Sequence, residues 1–353
     1  MPDPGDIRVD AERLHALGVR ALTAVGVSEE HAHLSADVLL ASDLRGVESH
    51  GFAHLADYYV GRVRDGRVKA GPNVAIVHET PTTGVVDGDG GLGFVAGRMA
   101  SRLAIEKARA MGVGMVSTRN STHFGPGFFY AMEALPHAML GVSMTTGGNI
   151  VVPPGGVGRT YGSNVIAFAA PTRGAPYVLD MATSVVAGGK FEIARRRGKP
   201  IPEGWGHTAS GEPMGRDPTP YFERGAILPL GGTPEFGAWK GFGLALMSDI
   251  LCGVLSAGGA STTLSSPGAC HFVAAVRIDA FITRDEFLDG MDAMVGKLKA
   301  APRQPGAPPL TIPGEPEAEK EADARANGVP LHPSVIEALR TMSGEVGIPF
   351  ELV

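Results

Sequence analysis

Two histidines stand in local settings that could move a proton. His123 lies within Val116–Ser117–Thr118–Arg119–Asn120–Ser121–Thr122–His123–Phe124–Gly125–Pro126–Gly127. There an apolar run from Val113 to Val116 ends in short polar residues, and a turn with two glycines and a proline follows. Such a segment presents an imidazole at a strand end, with rigid support behind it and small neighbours that leave room for a ligand. The plainer alternative is a histidine in a polar turn. His50, in Ser49–His50–Gly51, is followed four residues later by His54. On one helix the two would share a face and could suit a metal. However, Gly51 stands where a zinc protease has its glutamate, and no third ligand is evident. Ser49–His50 at a helix start beside a substrate is the better functional reading, with a buried structural histidine as the alternative.

The elements that must hold these residues follow from periodicity. Leu14, Leu17, Ala21, Leu22 and Val25 keep a helical period, and Ser28 is placed to cap a second helix reaching Leu44. A further helix is expected through Tyr58 and Val63. The strand-like Thr83–Asp87 precedes a helix from Phe94 to Met111, and Gly88, Gly90 and Gly93 between them match the dinucleotide fingerprint. The next strand ends near Thr118 and Arg119 instead of an acid for a ribose, so no Rossmann domain is built on that match. Beyond His123, strands are expected at Leu140–Met144, Val165–Ala170, Tyr177–Leu179 and Phe272–Ile278, and helices at Phe128–Leu135, Arg284–Lys299 and from Pro333.

Three other stretches carry possible anion chemistry. Asp180–Met181–Ala182–Thr183–Ser184 closes a strand, and a helix is expected from about Val185 with Thr183 or Ser184 as its cap, offering free amides to a phosphate or carboxylate. Arg195–Arg196–Arg197 at the other end of that helix reads as a solvated last turn. Trp239–Lys240, before Gly241–Phe242–Gly243, opens an apolar helix to about Leu255, where a lysine suits a phosphate or ribose, or is simply exposed. The Pro-rich segment Ala300–Pro316 is expected to cross the surface.

Composition bounds the rest. The 353 residues, 44% hydrophobic and 19% charged, fit a globular chain of two or three domains. A net charge of −6 argues against a nucleic-acid partner. Cys252 and Cys270 make neither a disulfide framework nor a zinc cluster. No signal-like start or bilayer-length apolar run is evident, so a cytoplasmic protein without a membrane partner is expected. Alternating strands and helices without a repeat indicate an α/β or α+β body flanked by helical segments.

With these pieces placed, the chain resembles the type-2 malate/L-lactate dehydrogenase family, which includes ureidoglycolate and sulfolactate dehydrogenases and diketogulonate reductase. The resemblance spans nearly the whole chain. It rests on Ser49–His50–Gly51, Asn120–Gly125, Gly162–Ala169, Asp180–Thr183, Ile201–Trp205, Trp239–Gly243 and Pro313–Glu315, in that order. It implies a non-Rossmann nicotinamide-binding domain with a mixed, largely antiparallel sheet, a helical N- and C-terminal domain and a small helical subdomain. The corresponding residues are 76–180 with 226–300, 1–75 with 301–353, and 181–225. It also implies a homodimer with the active site near the subunit boundary.

Carried over by position, His123 resembles the family's acid/base histidine and His50 its second active-site histidine. Ser49, His54 and Tyr58 would meet substrate. Asp180, Met181, Ala182, Thr183, Ser184, Trp239, Lys240, Gly314 and Glu315 would meet NAD or NADP, with NAD slightly preferred, and no metal is expected. The implied reaction moves a hydride between that cofactor and a small 2-oxo or 2-hydroxy acid. An imidazole with a pKa of about 6.5 can give and retake the accompanying proton. Two positions depart from the pattern: His54 stands where many relatives have an arginine for a substrate carboxylate, and Gly147–Gly148 where relatives often have a polar or acidic residue. A ketimine reductase on the same scaffold is the near alternative. A metal-dependent hydrolase or a non-catalytic binding protein are the distant ones.

Overall fold

A computed structural model describes residues 3–353. Its largest layer is a seven-stranded sheet made of β1 (Ala75–Glu79), β2 (Thr83–Asp87), β3 (Val113–Thr122), β4 (Met139–Thr145), β5 (Val165–Ala170), β6 (Tyr177–Met181) and β7 (Gly268–Arg277), in the spatial order β1-β2-β3-β7-β4-β5-β6. Only β2 and β3 run parallel; every other neighbouring pair is antiparallel. The sheet is therefore mixed and largely antiparallel, as expected, and quite unlike the all-parallel core of a doubly wound fold.

The central strand β7 shows why. Its alternate residues Val273 and Ala275 join Val86 and Val116 under Ala96, Ala100, Leu103 and Ala104 of helix α3 (Gly93–Met111). The intervening Cys270, Phe272 and Ala274 face the other way, onto Met144 and Cys252. A strand apolar on both faces at period two must be covered on both sides.

The helices are α1 (Ala11–Ala24), α2 (Glu29–Leu44), α3, α4 (Gly127–Met132), α5 (Gly189–Arg196), α6 (Ala238–Asp249), α7 (Arg284–Lys299), α8 (Glu315–Asn327) and α9 (Pro333–Val346), with shorter turns between. Leu14, Leu17, Leu22 and Leu39 from one end of the chain share a core with Val335 and Leu339 from the other. Strand Ile7–Val9 pairs with Val329–Leu331 beside it. Ser28 caps α2 by accepting from the His31 amide. Among the described residues no helix is long and apolar enough to cross a membrane.

Four expectations need correction. β3 does not stop near Thr118 but runs to Thr122, because polar side chains on it find partners in the segments packed against the sheet: Ser117 donates to the Leu251 carbonyl and Thr122 to that of Gly91, both at 2.9 Å. Helix α5 starts at Gly189 rather than Val185, and neither Thr183 nor Ser184 caps it. The Val185 amide instead bonds to the Leu228 carbonyl, which keeps the segment extended. The Pro-rich crossing ends in α8, with Pro316 in its first turn, where proline's fixed φ is favourable. Finally, no single helix carries His50 to Tyr58. A turn at Ser49–His50 leads to a 3₁₀ turn (Phe52–His54) and then to π-helical turns over Leu55–Gly61.

Candidate active site

His123 follows the last residue of β3, and the chain turns sharply at Gly125, whose φ is +79°. The Nδ1 atom of His123 lies 2.7 Å from the Tyr59 hydroxyl and 3.3 Å from the Gly125 amide. An amide can only donate, so Nδ1 is the acceptor, Tyr59 donates to it, and the ring proton of neutral His123 sits on Nε2. Burial pushes the His123 pKa well down, and His50, His54, Arg62 and His271 push in the same direction. Beneath the turn, His271 is fully buried between the hydroxyls of Ser121 and Thr145, each 2.8 Å away, and stacks on Phe124 at 4.2 Å.

The His50 ring stacks over His123 with centroids 5.4 Å apart. Its Nδ1 is 2.9 Å from the Ser49 hydroxyl, and burial lowers its pKa to about 4. The Ser49–His50–Gly51 turn rests on Asp43, a buried acid of α2 whose carboxylate accepts the Phe52 amide at 2.7 Å. A Cβ on Gly51 would stand 2.1 Å from that carboxylate, so glycine is required for the close approach. Burial raises the Asp43 pKa to about 7.

These rings open into a cavity of about 710 Å³. Of the residues singled out from sequence, Ser49, His50, His54, Tyr58, His123, Asp180, Ala182 and Gly314 line it. His54 stacks on Tyr58 at 4.7 Å and bonds through Nε2 to the Glu192 carboxylate at 2.9 Å. Asp180 lies across the cavity at the end of β6, accepts the Phe128 amide at 2.9 Å, and is pushed by burial to a pKa of about 6.

Met181, Thr183, Ser184, Trp239, Lys240 and Glu315 are not part of that wall. Thr183 and Ser184 are buried, their hydroxyls donating to the Ser163 and Val186 carbonyls. Glu315 accepts from the Ile312 amide and pairs with Lys299. Trp239 and Lys240 are exposed at the start of α6. The arginine run is elsewhere too. Arg197 is not a solvated turn but bridges Asp3, Asp6 and Glu48.

Sequence reasoning passed over Tyr59, Lys190, Glu192 and Tyr221, of which the last three line the cavity. The expected start of α5 at Val185 concealed Glu192, which falls in that helix's true first turn. His50 and His54 have centroids 6.5 Å apart, and among the described residues no cluster of three histidine, cysteine or acidic side chains is arranged to hold a metal.

Comparison with known proteins places this arrangement in context. The family model for malate/L-lactate dehydrogenase matches residues 9–340. The chain is 41% identical to a malate dehydrogenase of Pyrococcus abyssi, over 98% of this chain and 97% of that protein. It is 34% identical to an L-sulfolactate dehydrogenase of Methanocaldococcus jannaschii, over 94% and 95% respectively. The solved malate dehydrogenase of Pyrococcus horikoshii OT3 superposes with a TM-score of 0.92 at 38% identity, covering 99% of both chains. Match, identity and superposition all run the length of the chain, which belongs to the malate/L-lactate dehydrogenase family.

Proposed function

We propose that the chain is a nicotinamide-dependent dehydrogenase that interconverts a small 2-hydroxy acid and its 2-oxo acid, with His123 as the proton-transfer group. The carrying observation is the pair of stacked imidazoles, His50 and His123, in the wall of one cavity that extends to Asp180 and Gly314. Malate and L-sulfolactate, named for two relatives, are both 2-hydroxy acids.

The residues suit a dinucleotide. The cavity volume falls in the range of cofactor pockets. A Cβ on Gly148, which lines it, would meet nothing within 4 Å and so would stand in ligand space. Asp180, Ala182, Gly314 and the Gly125–Phe128 turn are the groups placed to hold it. Bound there, a nicotinamide supplies the hydride donor or acceptor. We infer NAD over NADP because the arginine run, the densest positive charge in the sequence, is outside the cavity and partly committed to Asp3, Asp6 and Glu48. Met181, Thr183, Ser184, Trp239, Lys240 and Glu315 then act behind the wall or from a partner subunit's side.

The protein's share of the chemistry is proton management. Burial and four cationic or potentially cationic neighbours disfavour charge on His123 and keep its ring neutral. A substrate carboxylate brings the opposite charge, and the oxygen that becomes alkoxide brings more. Both favour a second proton on the ring, taken from solvent at Nδ1 with the Tyr59 hydroxyl turned to accept it, so that Nε2 can deliver its own proton to that oxygen and leave the ring neutral. His50, fixed by Ser49, is a second donor to the same oxygen. In the oxidation direction the steps reverse.

The test is direct: purified protein with NADH or NADPH is offered pyruvate, oxaloacetate and a cyclic imine carboxylate, and cofactor absorbance is followed. Turnover of a 2-oxo acid supports the reading. Turnover of the imine alone, or of none, refutes it.

We further propose that the working unit is a homodimer formed through α6 and its π-helical extension (Ile250–Val254). Trp239, Leu246, Met247, Ile250 and Val254 form a helical stripe that stays exposed, with Ile250 at 56% and Val254 at 59%. An apolar stripe of this length is unusual on a monomer. Replacing Ile250 and Val254 together by glutamate is expected to convert a dimer mass in light scattering to a monomer mass. A parent chain that is monomeric at micromolar concentration would end this proposal.

A further inference from the structure

Ser42 and Asp43 are consecutive polar residues in the last turn of α2, both buried and neither in the cavity wall. Each holds one end of the loop that carries Ser49 and His50. The Ser42 hydroxyl donates to the Val47 carbonyl at 2.9 Å, and the Asp43 carboxylate accepts the Phe52 amide at 2.7 Å. We propose that this end of α2 is the cradle that places the His50 ring, with Asp43 as its principal positioning residue. The proposal rests on the hydride-transfer reading above, in which His50 is a second donor to the substrate oxygen.

Asp43 stands where an acid is unfavourable. Its carboxylate takes one hydrogen bond, from Phe52, and pairs with no cation among the described residues. Glu48 acts against its charge and Arg196 for it, and burial outweighs both. The carbonyl end of a helix also disfavours negative charge, and α2 has no basic residue in its last turn to offset this. An apolar residue would carry none of these penalties. What it could not do is accept the Phe52 amide, which opens a 3₁₀ turn and so finds no acceptor within that turn.

The two anchors act on a short span. Between Val47 and Phe52 the chain has only four residues, Glu48–Ser49–His50–Gly51. The His50 amide bonds to the Val47 carbonyl at 3.0 Å, the same oxygen that Ser42 holds. On the far side of His50, the Asp43 carboxylate lies so close to Gly51 that a Cβ there would stand 2.1 Å from it. The backbone of His50 is thus fixed from both sides, and the Ser49 hydroxyl at Nδ1 sets the ring. His123 belongs to β3, so the 5.4 Å between the two rings depends on how α2 holds this loop. Glu48 is also tied to Arg197 at 3.1 Å, but its carboxylate is partly open to solvent, where such a pair holds less firmly.

The test is a double-mutant cycle in the full-length protein, with reduction of oxaloacetate and pyruvate followed through NADH and NADPH absorbance. Asp43→Ala is expected to lower kcat by about 10²-fold, as a misplacement of about 1 Å does, with cofactor affinity within a few-fold of the parent. His50→Ala retains measurable turnover because His123 still supplies the proton. In that background Asp43→Ala is expected to cost less than about threefold, since the ring it places is gone. A general loss of folded protein would lower kcat alike in both backgrounds. Ser42→Ala removes no charge, and is expected to lower kcat about fivefold in the parent and to be silent beside His50→Ala. It carries the test if Asp43→Ala gives no folded protein. Parental kcat in these variants, or a loss repeated in full beside His50→Ala, overturns the cradle while leaving turnover by the parent standing. If the parent reduces neither acid with either cofactor, the hydride-transfer reading falls and the cradle's role with it.

Discussion

His123→Ala is expected to lower kcat by about 10²–10⁴-fold, the usual contribution of a positioned acid/base group, while cofactor affinity stays within a few-fold of the parent. The reason for the split is spatial. His123 closes β3 beside His50, whereas the cofactor contacts proposed here come from the end of β6, the segment before α8 and the Gly125–Phe128 turn, none of which uses the His123 side chain. The ring also has a structural tie that must be separated from its chemistry. Tyr59 is 1% exposed, and among the described residues the only side chain bonded to its hydroxyl is His123, through Nδ1. Removing the imidazole strands that hydroxyl, at a cost of about 1–3 kcal/mol. The paired variant His123→Ala/Tyr59→Phe removes both partners and should recover most of the lost thermal stability, yet none of the lost turnover. Steady-state kinetics, cofactor fluorescence titration and melting curves on the three variants check this. A single variant with near-parental kcat and intact cofactor binding would remove His123 from the mechanism.

Much of the site could be read from residue order because short-range chemistry marks it. The Ser49–His50–Gly51 turn, the His123 strand end and the four-residue step from His54 to Tyr58 all depend on local spacing, and the last of these emerges as a stacked pair. Tyr59 could not be found that way. It sits on π-helical turns, whose wider winding takes residues off the faces that a 3.6-residue period predicts. Glu192 was hidden by a misplaced helix start. Thr183 and Ser184 have the right types for a cap, but long-range pairing of their segment with Leu228 and Pro229 overrides that local preference. Helix α8 was missed for a different reason. Its sequence EPEAEKEADARAN buries only Ala324 fully, so no apolar stripe announces it. The polar half of β3 likewise breaks the rule that interior strands are apolar, because the Ser117 and Ser121 hydroxyls are satisfied by neighbours distant in sequence.

The glycine fingerprint supports the second large prediction, because its residues brace His123 instead of cradling a phosphate. The Gly88 amide bonds to the Arg119 carbonyl and the Gly90 amide to that of Asn120, at 2.9 and 2.8 Å. The Gly93 amide bonds to the Thr122 hydroxyl at 3.1 Å. The start of α3 is therefore turned toward the end of β3. A Cβ on Gly93 would stand 2.1 Å from the Thr122 carbonyl oxygen and 2.6 Å from that of His123. Both obstacles are backbone, so Gly93→Ala must displace the strand end or the helix. Overpacking of this kind costs roughly 1–3 kcal/mol and should lower Tm by several degrees. A displacement of about 1 Å at the proposed acid/base group should cost on the order of 10²-fold in kcat. If the fingerprint held a dinucleotide, the same change would appear first in the cofactor KM and leave kcat largely intact. Gly290→Ala in α7 is the control: a Cβ there meets nothing within 4 Å, and alanine is the better helix former by up to about 1 kcal/mol. It should leave kcat unchanged and hold or raise Tm. Gly93→Ala with parental kcat and a weakened cofactor KM would return the glycines to phosphate binding and detach them from His123.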